Sequence, residues 1–397
     1  MNGPIKLAAP LLVAVALAAC NAGGSSSVPA AGSQPGGITQ SSGVVAQPFT
    51  RVCNDTRPGY MNCDAVFPNN VKVQPGAVGG LGAPDFEAAY KLPITKGSGQ
   101  VVAIVDAYDN PTEASDLATY RTEYGLGTAT FKKYNQSGQQ SNYPSQNKNW
   151  GVEEDLDIEM VSASCPLCTI YIIEANSNNT TDLYAAEKEA VKLGAHVISN
   201  SWGGGGGSSS GGAFDASGVT YLASAGDSGY GTQDPMDYPT VISVGGTELS
   251  KQGSTYKEQI WPFSGGGCSV ETKPSWQHDP KCTERTANDI SAVASGVAEY
   301  DTAYGGWIQI GGTSVSSPLM AGVFGLAGNG NTRQSGKAFW TLRARKLKKD
   351  LHDITVGGVI HCPPSLAGGY LCVAGTKQYK TYSGPGGWGS PNGIGAF

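Results

Sequence analysis

Gly311-Gly312-Thr313-Ser314-Val315-Ser316-Ser317-Pro318, running on into Leu319-Met320-Ala321-Gly322-Val323-Phe324-Gly325-Leu326-Ala327, is the stretch on which the reading of this chain turns. Two glycines make a sharp turn into small and apolar residues, a pattern that predicts a buried helix. Pro318 is expected in its opening turn, where no N–H is needed. Ser314 then stands where a loop feeds a helix N-terminus. Free N–H groups and the positive end of the helix dipole favour negative charge on a reacting oxygen there. Two readings are open at this point, a nucleophilic serine and a Ser/Thr helix cap.

A serine hydroxyl is a poor nucleophile until a base takes its proton. Gly-Thr-Ser-x-x-x-Pro resembles the nucleophile signature of subtilisin-fold peptidases, which leads to a search for a histidine. The chain has four. His196 falls in Ala195-His196-Val197-Ile198-Ser199-Asn200-Ser201-Trp202, read as a buried strand, and His278, His352 and His361 sit in polar or Pro/Cys-rich surroundings. None is followed by the Gly-Thr that the resemblance would require.

The better base lies in Glu153-Glu154-Asp155-Leu156-Asp157-Ile158-Glu159-Met160. Glu153 and Asp157 are four apart and share a helix face, so one carboxyl is raised and the two share a proton. Glu-x-x-x-Asp-type spacing upstream of Gly-Thr-Ser, here Glu153, Leu156 and Asp157, resembles the sedolisin family of serine-carboxyl peptidases. The resemblance implies a subtilisin-like α/β fold with Ser314 as nucleophile, Glu153 as general base and Asp157 as its orienting partner. Glu154, Asp155 and Glu159 miss the family spacing and are read as surface charges.

The family also uses an aspartic acid that donates to the oxyanion. Val219-Thr220-Tyr221-Leu222-Ala223-Ser224-Ala225-Gly226-Asp227-Ser228-Gly229 supplies Asp227 in a small-residue turn after a strand. A carboxyl donates only when protonated, so an acidic optimum is expected. Ser201-Trp202-Gly203 resembles the edge that pairs with an extended substrate in this fold, read through the backbone. Two rivals stay open: a histidine-using subtilisin-like protease built on Asp106, and a catalytically silent surface protein that binds peptides.

Apolar runs alternate with helical patterns from Gln100-Val101-Val102-Ala103-Ile104-Val105-Asp106 onward: helix 111–124, strand 169–174, helix 181–193, and strands 195–201, 219–223 and 241–244. That alternation predicts a parallel sheet with helices on both faces in one large catalytic domain, residues 96–397. Asp106 closes the first strand and is read as structural or as an auxiliary carboxylate.

Residues 1–20 read as an export signal, with Lys6 ahead of an apolar run at 7–19 too short to span a bilayer comfortably. Leu17-Ala18-Ala19-Cys20 resembles a bacterial lipobox, implying lipid attachment at Cys20; simple cleavage and release is the alternative. The chain is thus placed at a bacterial cell envelope or outside the cell. Setting Cys20 aside, eight of the nine cysteines fall into local pairs: Cys53/Cys63, Cys165/Cys168, Cys268/Cys282 and Cys362/Cys372. Four short-range disulfides in an oxidising compartment are expected. Residues 21–50 form a Gly/Ser/Pro-rich tether, and residues 51–95 a short Cys-containing extension. Gly82-Ala83-Pro84-Asp85-Phe86-Glu87-Ala88-Ala89-Tyr90-Lys91-Leu92-Pro93 resembles the segment just before the sedolisin catalytic domain. Most sedolisins carry a large folded propeptide, and this extension is too short and too rich in Gly and Pro to be one.

With 26 Lys and Arg against 32 Asp and Glu, the net charge of −6 is too weak and dispersed to suggest nucleic acid. Protein or peptide substrates, a monomer and membrane contact through Cys20 alone are expected, with no organic cofactor. The C-terminal region resembles the sedolisin calcium-binding end, implying the Asp353 side chain and the Ile354 carbonyl as ligands. Ser383 stands where the family has a carboxylate, which should weaken or abolish the site.

Overall fold

The first apolar run is strand β1, Val101–Ala107, and from Val102 onward every residue in it is buried. Both faces of such a strand are covered, as in parallel sheets clad by helices. This computed structural model describes residues 48–69, 78–205, 207, 209–332 and 335–397; the export segment, Cys20 and residues 21–47 of the tether lie outside the described residues. The described part from residue 48 onward belongs to one compact unit, so the short extension packs with the catalytic fold.

In chain order the sheet is built from β1, β2 (Thr130–Asn135), β3 (Thr169–Ala175), β4 (Val197–Asn200), β5 (Thr220–Ser224), β6 (Val241–Gln252), β7 (Thr255–Ile260) and β8 (Ile290–Val293). Its spatial order is β7-β6-β5-β4-β1-β3-β2, with β8 also paired to β6. All pairings are parallel except the β6–β7 hairpin. Two parts of this sheet carry little sequence signal. Strand β2 is an edge with Lys132 and Lys133 in it, and β6 runs far past its buried start into exposed polar residues.

Between strands come α1 (Glu113–Glu123), α2 (Lys148–Ser164) and α3 (Thr180–Lys192), and after β8 comes α4 (Thr313–Ala327). Helices α2 and α4 pack closely on each other. The approach is set by Gly322, where an added Cβ would lie 1.9 Å from Ser164 Oγ. No larger residue fits without parting the helices. This contact brings the acids of α2 alongside the start of α4.

The eight paired cysteines form the expected disulfides, Cys53–Cys63, Cys165–Cys168, Cys268–Cys282 and Cys362–Cys372. Cys165–Cys168 closes the end of α2 before β3.

Candidate active site

The turn into α4 depends on Gly312. Its φ of 112° lies in the left-handed region, and an added Cβ would sit 2.0 Å from the Asp64 carbonyl oxygen and 2.9 Å from Asp227 Oδ2. Pro318 is the sixth residue of the helix, not part of its opening turn as the sequence suggested. Lacking an N–H, it leaves the Ser314 carbonyl without its usual donor four residues on. Ser201 Oγ lies 3.4 Å from that carbonyl.

Ser314 is fully buried, and its hydroxyl donates to the Ser201 carbonyl at 3.2 Å. The Ser201 hydroxyl in turn donates to Asp157 Oδ1 at 2.7 Å. Glu153 stands one turn before Asp157 on α2, with both carboxyl oxygens buried. Burial pushes the Glu153 carboxyl well up, the Asp157 and Asp106 charges push it further, and the Ser314 hydroxyl pulls it back by favouring the ionised form. Burial also raises Asp157, against hydrogen bonds from Ser201 and Glu153. Asp106, at the end of β1, joins them: burial and then the Asp157 charge raise it, and neither oxygen has a recorded donor. Three carboxyls so placed hold protons in common rather than ionise separately.

Across the turn, Asp227 Oδ1 accepts from the Thr313 N–H at 2.8 Å and from Thr313 Oγ1 at 2.9 Å. Its Oδ2 is buried without a recorded partner. Burial first, then the Asp64 charge, holds the Asp227 carboxyl well above the usual range, against the Arg51 charge and the Thr313 hydrogen bonds. A carboxyl kept neutral in this way has an O–H to give, and Oδ2 lies at Gly312, as does the Asp64 carbonyl that accepts from the Ser314 N–H.

Several expectations need correction. Glu154, Asp155 and Glu159 are buried, not surface charges. Helix α2 is enclosed on all sides, so each finds an internal neighbour. Asp155 Oδ2 accepts from Asn110 Nδ2 at 2.8 Å, and Glu159 from the Tyr300 N–H at 3.2 Å. Glu154 lies with Glu113 and Glu174, whose oxygens cluster within 4.8 Å as a metal site would. Lys133 already supplies the cation there, its Nζ 2.6 Å from Glu174 and 3.3 Å from Glu113. His196 is exposed just before β4 rather than inside a strand, with Nδ1 at 2.9 Å from the Gly218 carbonyl. His361 binds the Ser228 carbonyl at 2.8 Å.

The Ser201-Trp202-Gly203 edge does pair with an extended segment, and that segment is the chain's own Asn62–Cys63. Only backbone is offered, because the Trp202 side chain is buried with its Nε1 donating to the Val105 carbonyl at 2.8 Å. Asp64, Ser224, Gln233 and Arg51 all meet at this edge and escaped the sequence reading, since nothing in their local context marks them. At the C-terminal end Asp353 is exposed, and Ser383 Oγ accepts from the Gly386 N–H at 3.2 Å. Calcium prefers several anionic oxygens, and of the side chains at these two positions only Asp353 brings one.

The profile of the Subtilase family matches residues 127–349, more than half of the chain. Sedolisin of Pseudomonas sp. (strain 101) is 28% identical over 326 residues, covering 69% of this chain and 53% of that protein. Kumamolisin of Bacillus sp. (strain MN-32) is 30% identical over 279 residues, covering 60% of this chain and 50% of that protein. The chain thus spans about half the length of these relatives. The solved structure of Pseudomonas sedolisin, a serine-carboxyl proteinase complexed with two molecules of pseudo-iodotyrostatin, superposes with a TM-score of 0.66 at 25% identity, covering 80% of this chain and 96% of that one. On this fold and this match, the chain belongs to the subtilase family and, within it, is similar to the sedolisin group of subtilisin-like peptidases.

Proposed function

We propose that the chain is a serine-carboxyl endopeptidase that hydrolyses peptide bonds in acid, with Ser314 as nucleophile, Glu153 as general base, Asp157 as its partner and Asp227 as oxyanion donor. The observation that carries the reading is a buried Glu153 carboxyl that meets the Ser314 hydroxyl, with Asp157 a helical turn away. In the mechanism, Glu153 takes the Ser314 proton as the hydroxyl attacks a peptide carbonyl. Asp157, held by Ser201, keeps Glu153 in place and takes up part of the charge change. The Ser314 N–H and the protonated Asp227 face the developing oxyanion. Glu153 then protonates the leaving amine, and water releases the acyl-enzyme by the same proton path.

Two opposed ionisations define the working pH: Glu153 must lose its proton while Asp227 keeps its own. Export and lipid attachment at Cys20 are part of the proposal, and intact mass of the membrane-extracted protein tests them. The catalytic reading is tested by digestion of an acid-unfolded protein across pH with wild type, Ser314→Ala and Glu153→Gln. Loss of ~10²-fold or more in both variants is expected. An unchanged rate in Glu153→Gln would hand the chemistry to a histidine, and an inert wild type would leave a peptide-binding module.

A further inference from the structure

Residues 61–66 run through the cleft as a bound peptide would. The Met61 N–H donates to the Asn178 carbonyl at 2.8 Å, and Asn62 and Cys63 pair antiparallel with Gly203 and Trp202. The Asp64 N–H donates to the Ser201 carbonyl at 3.0 Å, while the Asp64 carbonyl accepts from the Ser314 N–H at 3.2 Å. Beyond it, Val66 and Gly311 exchange both backbone hydrogen bonds, at 2.8 and 3.0 Å. One strand is therefore held on both sides of Ser314, and the carbonyl that the Ser314 N–H reaches is that of Asp64. Strand addition of this kind fixes the register through the backbone and leaves selection to side-chain pockets.

The Asp64 side chain fills such a pocket. Its Oδ2 accepts from Ser224 Oγ at 2.6 Å and from Gln233 Nε2 at 2.5 Å, and the residue is 2% exposed. Gln233 is wedged between two glycines: a Cβ on Gly203 would lie 2.0 Å from its Nε2, and one on Gly226 3.0 Å from its Cδ. The amide is thus fixed as the end wall of a short pocket, with two donors converging on a single oxygen. Burial pushes the Asp64 carboxyl up to about 6; the titratable and charged groups facing it are Asp227, Glu153 and Arg51, whose Nη2 is tied to the Asp227 carbonyl at 2.9 Å and to Ser228 Oγ at 2.8 Å.

We propose that this pocket selects peptides with a short carboxyl or carboxamide side chain, Asp or Asn, on the acyl side of the bond to be cut, and that the chain's own Asp64–Ala65 bond is the first such substrate. The proposal rests on the peptidase reading above. In the self-cleavage, Ser314 Oγ bonds to the Asp64 carbonyl carbon, the Asp64–Ala65 C–N bond breaks, and the Ser314 proton passes through Glu153 to the Ala65 nitrogen. Water then hydrolyses the ester, leaving a carboxylate at Asp64 and an amine at Ala65. Both cysteines of the Cys53–Cys63 bridge lie on the acyl side of this bond, so the bridge does not join the two fragments.

The test uses the full chain, incubated near pH 4 as wild type and as Ser314→Ala, with N-terminal sequencing and intact mass. A new N-terminus at Ala65 in wild type and an uncut Ser314→Ala chain are expected. Wild type is then assayed on a peptide series that varies only the acyl-side residue. Asp and Asn should exceed Leu and Lys by ~10-fold or more, and Gln233→Leu should shrink that ratio about tenfold through loss of one buried donor. Digestion of unfolded protein with the self-cut elsewhere, or with no acyl-side preference in wild type, overturns this proposal and leaves the peptidase reading standing. No digestion of any substrate overturns both.

Discussion

Replacing Glu159 by glutamine should flatten the pH dependence of stability. Glu159 is fully buried on α2, beside Glu299 and Asp155, and accepts only from the Tyr300 N–H. Burial first, then the Glu299 and Asp155 charges, holds its carboxyl well above the ordinary glutamate range. The folded chain keeps a proton that the unfolded chain gives up, so this stability is full in acid and is lost as pH rises toward the folded value. Each such proton changes the unfolding free energy by ~1.4 kcal/mol per pH unit for as long as the folded chain alone holds it. Glutamine keeps an oxygen for the Tyr300 N–H and never ionises. Glu159→Gln should therefore match its parent at pH 4 and exceed it by a margin that grows by up to ~1.4 kcal/mol for each pH unit above the ordinary glutamate range. Urea unfolding at each pH, in a Ser314→Ala background that removes self-digestion, reads the slope directly. A parent whose stability rises from pH 5 to pH 7, or a variant with the parent's slope, would refute the assignment of a buried neutral acid.

Asp227→Ala should lower kcat by ~10²–10³-fold, as loss of one oxyanion donor does. Asp227→Asn, whose amide donates at any pH, should retain more activity and extend it toward higher pH, as a pH–rate profile would record. Arg285 and Asp289 form a fully buried pair at 2.7 Å, so Arg285→Ala strands a carboxylate and should cost about 3–5 kcal/mol in urea unfolding. A chelator should leave the melting temperature unchanged, given the donor set around Asp353 and Ser383; a clear fall would establish a bound ion.

The parallel sheet was legible because buried strands such as Val101–Ala107 are continuous apolar runs, and α4 because glycines precede a long small-residue stretch. Edge strand β2 and the hairpin half of β6 were not, since solvated residues carry no hydrophobic period. At the site, Glu153 and Asp157 were paired by helical spacing alone, which acts through neighbours three and four residues apart. The burial of Glu154, Asp155 and Glu159 could not be read from α2 itself. An acid's local sequence is the same whether its helix faces water or lies enclosed by α1, α4 and the strand Val297–Asp301.

The sequence by itself determined which groups can do chemistry, because a serine at a glycine turn and two carboxyls a turn apart are local facts. Only the tertiary structure decided what those groups face. Asp64 lies 250 residues before Ser314, and no periodicity links them. Their meeting follows from a short antiparallel pairing at Trp202–Gly203 and from the Val66–Gly311 bridge, contacts of backbone with backbone that no local pattern of side chains announces.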